Sequence, residues 1–460
     1  MRSTLNESMP YEKTIAKLFI LCFPFKMFAP LSSLGSITFG LGDAASFLFC
    51  ALGLLCILSR GKFYFTKDQG TKLLSNFAMM YLICDITSLL MSGVLYSRAG
   101  VIAGETTFVA ASKKIMYSFA FICFVYYCRE IARILTKNEI SNVINVCLNI
   151  CIVIGFIQVF MISGVGVFGR IYDGLNLLFD AWSSDNAVRT QRIALLANEP
   201  AYSAGFITSI AIPYLLSQMM EQGIKLKYIF KAFLFLVLLY YTKSTTGYLL
   251  FFVDVGIFSV IYFTNSGKST RDKFFSGLAF MISFLVVVFI IITNTLISDT
   301  VFGVLDKFFS YDNPTSGDRK GMMAVGFELL KRYPIFGVGN GNQGFFYQEL
   351  LPQWAYNTYT GISSYNRAST VLYDGGPFFI AFLSGYGIVG TIMLIGILVK
   401  GFRVMRDNWS AFGYLYYFYF MSIIALIING LGATLNSRYD FWFVLSIPMM
   451  ISYWSYSEEI

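Results

Sequence analysis

Residues 377–399 read PFFIAFLSGYGIVGTIMLIGILV, a run of 23 residues without one charged side chain. A helix rises about 1.5 Å per residue, so such a run reaches about 35 Å, enough to cross the roughly 30 Å hydrocarbon core of a bilayer. Lys400, Arg403 and Arg406 follow at once. Cations at the end of an apolar span are held on the cytoplasmic side of a membrane. The same pattern recurs along the whole 460-residue chain, which is 56% hydrophobic, 18% aromatic and only 13% charged. This composition excludes a soluble globular protein and predicts an all-α polytopic integral membrane protein with about twelve transmembrane helices.

The apolar windows lie near 14–30, 43–59, 73–93, 109–128, 142–164, 200–218, 228–243, 246–263, 275–297, 377–399, 410–430 and 439–455. Alternate connections are short and basic, carrying Arg60, Lys62, Lys67 and Lys72, then Arg129, Arg133 and Lys137, then Lys225 and Lys227, then Lys268, Arg271 and Lys273. That face is expected to be cytoplasmic, with both termini on it. The opening MRSTLNESMPYEKTIAKLFILCFPFKMF has no small-residue cleavage site, and Lys26 interrupts its apolar run, so it is expected to be a retained first helix. The chain reads as one integrated membrane domain: spans one to nine over 1–297, a large outer loop over 298–376, and spans ten to twelve over 377–460. No internal repeat is evident, which weighs against an inverted-repeat transporter.

The eight cysteines fall within or beside apolar segments and read as small apolar side chains. The chain has no histidine, so imidazole is removed as base, nucleophile and metal ligand. No metal site, cofactor or nucleic-acid partner is expected.

The outer face carries two long connections, near 165–199 and 298–376. The second is too long for a simple turn, and its Trp354, tyrosines and glycines suggest order. Within it, GDRKGMMAVGFELLKRYP reads as an amphipathic helix. Asp318 is a possible cap, Met322, Met323, Leu329 and Leu330 the apolar contacts, and Pro334 the stop. Cations on this face work against the orientation rule: Arg98, Lys113, Lys114, Arg170, Arg189, Arg192, Lys243, Lys307, Arg319, Lys320, Lys331, Arg332, Arg367 and Arg438. They are either solvated loop charge or ligands for phosphate, for which the planar guanidinium fork is well shaped. Lys243 lies in a very short turn, YYTKSTTGYLL, where snorkelling to headgroups and phosphate binding compete. Asp85 and Asp254 fall inside spans three and eight, where interhelical hydrogen bonding is the bland role and an ion or proton path the sharper one.

Residues 192–206, RIALLANEPAYSAGF, place Arg192 and Glu199-Pro200 at the outer start of the sixth span. Proline favours the first helical turn, and an acid there gains about 0.3–1 kcal/mol from the helix dipole, so capping by Asn198 or Glu199 is one reading. A catalytic or substrate-binding carboxylate is the other. FGVGNGNQGFF lacks the lysine-containing ending of a nucleotide loop and reads as a glycine turn shaping a cavity.

These elements resemble a known family. RIALLANEPAYSAGF resembles the element that opens a central membrane helix in Wzy-type oligosaccharide-repeat-unit polymerases of O-antigen and capsule synthesis. YTKSTTGYLL is similar to the following turn of that family. SGDRKGMMAVGFELLKRYPIFGVGNGNQGFF resembles the arginine-led loop helix and glycine turn shared with the O-antigen ligases, and SGYGIVGTIML the helix start after the large loop. The resemblance runs in family order from about 190 to 395. It implies a GT-C-like architecture and an inner-membrane glycosyltransferase without cofactor. Its implied substrates are oligosaccharide units on undecaprenyl pyrophosphate, joined at the periplasmic face, with membrane lipids around it and a chain-length-determining co-polymerase as partner. The ligase branch carries a histidine in the large loop, where this chain reads SSYNRASTVLYDGGPFF, so polymerase is favoured over ligase. A lipid-linked oligosaccharide flippase is the alternative from another class, disfavoured by the large loop.

Displacing pyrophosphate from a sugar carbon needs charge stabilisation on the leaving group and a base for the acceptor hydroxyl. Matched to the family's motifs, Glu199 is the candidate base, and Arg192 and Arg319 the candidate clamp. Lys243, Ser244, Arg332, Arg367, Arg170, Arg189 and Tyr202 are the candidate substrate contacts.

Overall fold

The computed structural model describes residues 9–25, 28–32, 45–61, 68–102, 104–179, 182–264, 317–357, 362–363, 365–366, 368, 376–432, 434–435 and 438–454. It is an all-α polytopic membrane protein, and its described residues contain no sheet beyond an isolated bridge between Ile102 and Glu105.

The principal helices are α1 (Pro10–Leu21), α2 (Ala45–Arg60), α3 (Gln69–Ala99), α4 (Thr107–Ile134) and α5 (Lys137–Ile162). The outer loop that follows holds α6 (Gly166–Phe179) and α7 (Ser184–Thr190). Next comes α8, which runs as Pro200–Phe206, a π turn at Ile207–Ala211, and Ile212–Gln222. Then follow α9 (Leu226–Thr242), α10 (Thr245–Thr264), α11 (Gly317–Arg332), α12 (Phe378–Asp407) and α13 (Tyr414–Gly430). Last is α14 (Tyr439–Ser446), prolonged by Ile447–Met450 and Ile451–Trp454. Each apolar window has a helix on it except the ninth, 275–297, which lies outside the described residues. The first helix stops at Leu21, well short of its window's end. By length and apolarity alone α3, α4, α5, α10 and α12 can cross a membrane, while α2 and α13 are shorter apolar helices.

Local chemistry sets the helix starts. Asp68 caps α3 by accepting from the Thr71 N–H at 2.8 Å, and Thr136 and Glu139 form a reciprocal box at the start of α5. The apolar core runs through nearly all the spans, with Trp442, Tyr127, Phe418 and Tyr419 among its fully buried large side chains.

The basic residues of the face expected to be cytoplasmic do more than orient the chain. Arg129 and Glu130 are completely buried; Arg129 donates to Thr71 at 2.8 Å, and Arg133 pairs with Glu130 at 2.9 Å. Tyr453 closes on the same carboxylate, and Arg60 pairs with the buried Glu12. Removing one partner from such a dry cluster leaves a buried charge uncompensated. Asp85 accepts from Ser118 at 2.9 Å and so ties α3 to α4. Asp254, read the same way, has no hydrogen-bond partner among the described residues.

The described part of the large loop contributes to a second apolar cluster, in which Val325, Leu329, Phe345, Phe346 and Tyr347 sit with Leu95 of α3 and Ala110 of α4. Gly321, Val325 and Leu329, four residues apart, form the buried stripe of α11, with Met322 half-buried beside it. Val325 replaces Met323 and Leu330, which are only half-buried, as a principal contact. Asp318 lies in the first turn of the helix.

Candidate active site

Arg192 opens the element that builds the site. Its Nε donates to the Thr242 carbonyl at 2.9 Å, and the Ile193 N–H donates to the Tyr241 carbonyl at 3.1 Å. Both carbonyls belong to the last turn of α9, which has no intrahelical donors for them. Burial draws the Arg192 guanidinium below the usual arginine range, and the Glu199 carboxylate, close enough to act on it, opposes that shift.

Residues 193–197 then dive into the bundle without forming a helix, each at most 1% exposed. A buried non-helical backbone needs partners for its polar groups. Gln158 of α5 supplies two, donating to the Leu195 carbonyl at 2.7 Å and accepting from the Ala194 N–H at 3.2 Å. Ser203 donates to the Ala194 carbonyl, and the Ala197 carbonyl accepts from the Trp182 N–H at 3.0 Å. Leu195 is held at φ 48°, a left-handed conformation that costs a residue with a Cβ about 1–3 kcal/mol.

The chain re-emerges at Glu199, extended at φ −147° and ψ 145°, with Pro200 as the first helical residue of α8. The Glu199 carbonyl accepts from the Tyr202 N–H at 3.1 Å, but its side chain makes no capping bond. Asn198 does not cap by side chain either: its Oδ1 is buried without a partner among the described residues. The carboxylate is exposed and lines a cavity of about 210 Å³.

That cavity is walled by Glu199, Ala201 and Tyr202 of α8, Thr246 of α10, Arg319 and Met322 of α11, Gly376 and Pro377 before α12, Asn429 of α13, Gly432, Thr434 and Arg438. The first turns of α8, α10 and α11 and the residues just ahead of α12 and α14 all meet there. Helix starts present unpaired N–H groups and partial positive charge, and Arg319 and Arg438 add two full charges. These donors can hold an anion there, against the charge of Glu199 and of the Asp440 that pairs with Arg438. Arg438 is only 7% exposed and grips Asp440 in a two-pronged pair, with Nε at 3.1 Å from Oδ1. Its Nη1 and the Asn429 Nδ2 pack against Gly205, where a Cβ would lie 2.7 and 2.9 Å from them. Only glycine lets them approach the α8 backbone so closely.

The structure thus brings Glu199, Tyr202 and Arg319 to one cavity, with Arg192 behind Glu199. Other candidates lie elsewhere. Ser244 caps α10 through the Gly247 N–H at 3.4 Å, and Lys243 is exposed at φ 48° in the α9–α10 turn; from that region Thr246 reaches the cavity. Arg332 is exposed at the far end of α11 and pairs with Glu349 at 2.5 Å, the hydrogen bond that raises its pKa. Arg170 is exposed on α6, and Arg189 bonds Asn186 at 3.0 Å on α7. Arg367 lies outside the described residues. In the sequence Arg438 is one of many outer cations, and no motif singles out Asn429 or Thr246. The one local signal was the acid two residues after Arg438.

The glycine turn is structural. Val338 and Gly339 N–H groups donate to the Ser384 and Gly385 carbonyls at 2.9 and 3.0 Å, and the Asn340 N–H to Ser88 at 3.0 Å. These three N–H groups are thereby used and are not free to cradle a phosphate. Gly387, at φ 65° and ψ −164°, breaks α12 at the same level. The Ile388 and Val389 N–H groups beyond the break donate to the Pro334 and Ile335 carbonyls at 2.9 and 3.2 Å. Loop and broken helix satisfy each other's backbone, which hydrocarbon could not do.

Compared with known families, residues 230–395 match the model described as O-antigen ligase (Wzy_C). This segment therefore has the character of the O-antigen polymerase/ligase superfamily, whose members transfer glycans. The match spans α9 to the first half of α12, including Thr246, Arg319 and Pro377 of the cavity, but ends short of Asn429 and Arg438 and begins after Glu199. No curated protein matches the chain.

Proposed function

We propose that the chain polymerises lipid-linked oligosaccharide repeat units at the periplasmic face of the inner membrane. The growing glycan leaves undecaprenyl pyrophosphate and passes to a hydroxyl of the incoming lipid-linked unit. The observation that carries this reading is one cavity holding an uncapped carboxylate, Glu199, opposite two guanidinium groups, Arg319 and Arg438, at converging helix starts.

Chemically, the sugar C1–oxygen bond to pyrophosphate breaks while the acceptor oxygen bonds to C1. Arg319 and Arg438 stabilise the charge that collects on the departing pyrophosphate, where charge-assisted hydrogen bonds are strongest. Glu199 takes the hydroxyl proton. Arg192 is a positioning residue: it fixes the segment carrying Glu199 to the end of α9. Tyr202 and Asn429 offer polar contacts to sugar. A separate co-polymerase sets chain length in this reading.

The described match to an O-antigen ligase favours a second reading, transfer of finished glycan to a lipid acceptor. Absence of any histidine favours the polymerase. Glycolipid gels of a deletion strain separate the readings: single repeat units on the surface glycolipid indicate a polymerase, bare core with polymer retained on its carrier a ligase. Units trapped on the cytoplasmic leaflet would instead mean a flippase and overturn both. Purified protein is expected to elongate a defined lipid-linked unit without added metal.

A further inference from the structure

Below the cavity three polar side chains are completely buried without a partner among the described residues: both carboxylate oxygens of Asp254, and the hydroxyls of Ser209 and Ser422. They lie on α10, α8 and α13, which pack on one another at the π turn of α8. Two close contacts set their register. A Cβ on Gly247 of α10 would meet Ala204 of α8 at 2.9 Å, and one on Gly205 would meet Asn429 of α13 at the same distance. Seven residues is almost two helical turns, so Asp254 sits on the Gly247 face of α10 about 10 Å deeper, and Ser422 on the Asn429 face of α13 at a matching depth. Both faces are turned to α8, where this depth falls at the end of the π turn Ile207–Ala211, within about 4 Å of the level of Ser209.

The π turn has its own cause and consequence. The Ile212 N–H bonds the Ile207 carbonyl, five residues back, and Pro213 has no N–H to give to Thr208 or Ser209. Backbone carbonyls at this level are thus deprived of a helical donor beside a carboxylate and two hydroxyls. The surroundings are oxygen-rich, and a bare carboxylate there is costly. Neither hydroxyl makes a hydrogen bond to the carboxylate, so no described group satisfies Asp254 directly. Hard cations take oxygen ligands of this kind, and one positive charge makes the site neutral.

We propose that Asp254, Ser209 and Ser422 form an intramembrane site for a small monovalent cation. Its occupancy ties α8, whose first turn carries Glu199, to α10 and α13. The inference is independent of which glycan transfer the cavity performs.

The test is thermal unfolding of the purified full-length protein in detergent, in NaCl, KCl or choline chloride at equal ionic strength. A ligand that binds only the folded state raises the midpoint saturably, here by about 3 °C over choline at saturating Na+ or K+. Asp254→Asn is expected to abolish the cation-dependent part of that shift. Where that variant cannot be purified, the Ser209→Ala/Ser422→Ala double variant is expected to weaken the cation's half-saturation at least tenfold. Equal midpoints in all three salts, as a merely protonated Asp254 would give, overturn the proposal. So does a cation shift that survives these substitutions.

Discussion

Glu199 and Arg438 face the same cavity under opposite constraints. Glu199 is exposed, makes no capping bond and acts on Arg192 only electrostatically, so its charge can be removed with little cost to folding. Glu199→Gln keeps the shape and is expected to lower elongation of a lipid-linked unit by about 10²–10⁴-fold if it is the general base. Its thermal midpoint should stay within about 1 °C of wild type, since surface changes rarely exceed 0.5 kcal/mol. Full turnover by this variant would refute the base assignment. Arg438 is buried against Asp440, and Arg438→Ala would strand that acid at about 3–5 kcal/mol, mixing misfolding with lost chemistry. Arg438→Lys retains the charge but not the fork. It is expected to fold and to lose most of its activity, with protein yield and single-turnover elongation as the readouts. Glu199 stood out in the sequence because an acid and a proline interrupt an apolar run. Arg438 did not, because what distinguishes it is its contact with Gly205, 233 positions away, which no local pattern carries.

The elements were largely legible and their breaks were not. Apolar windows of membrane length announce helices directly, and α3, α4, α5, α10 and α12 lie where the windows put them. The interruption of α12 at Gly387 is hidden within its 23-residue apolar run, because it exists only with the loop at 334–339 folded into it. The two glycine-rich motifs were each readable, but their mutual hydrogen bonding was not. Gly387 has positive φ, and a Cβ there would sit 2.4 Å from the Ile335 carbonyl and 2.5 Å from the Gly337 nitrogen. Gly387→Ala is therefore expected to cost about 1–3 kcal/mol or more and to separate the loop from the helix. Gly396, nine residues on in the same helix, has no atom within 4 Å of its would-be Cβ and serves as the control. A lower melting point and faster proteolysis of the loop in the first variant only would support the interlock. Equal behaviour of the two would refute it.

At the scale of the molecule, the cavity's meaning depends on which side of the membrane it faces. In the orientation proposed here, the cations that follow the spans hold the ends of α8 and α12 and the starts of α5 and α9 on the cytoplasmic side, which turns Glu199, Arg319 and Arg438 to the other. Lipid-linked transfer without nucleotide sugars belongs there; a nucleotide-dependent enzyme would face the cytoplasm. Two exposed positions decide the matter: Arg189 on α7, on the cavity side, and Lys225 before α9, on the opposite side. Native thiols offer little background, since six of the eight cysteines are buried and Cys56 and Cys123 are partly so. In intact spheroplasts a membrane-impermeant maleimide is expected to label Arg189→Cys and to reach Lys225→Cys only after permeabilisation. The reverse pattern would turn the cavity to the cytoplasm. Arg319 and Arg438 would then lie away from the leaflet where the proposed donor and acceptor meet, and the polymerase reading would fall with its close relative, the ligase.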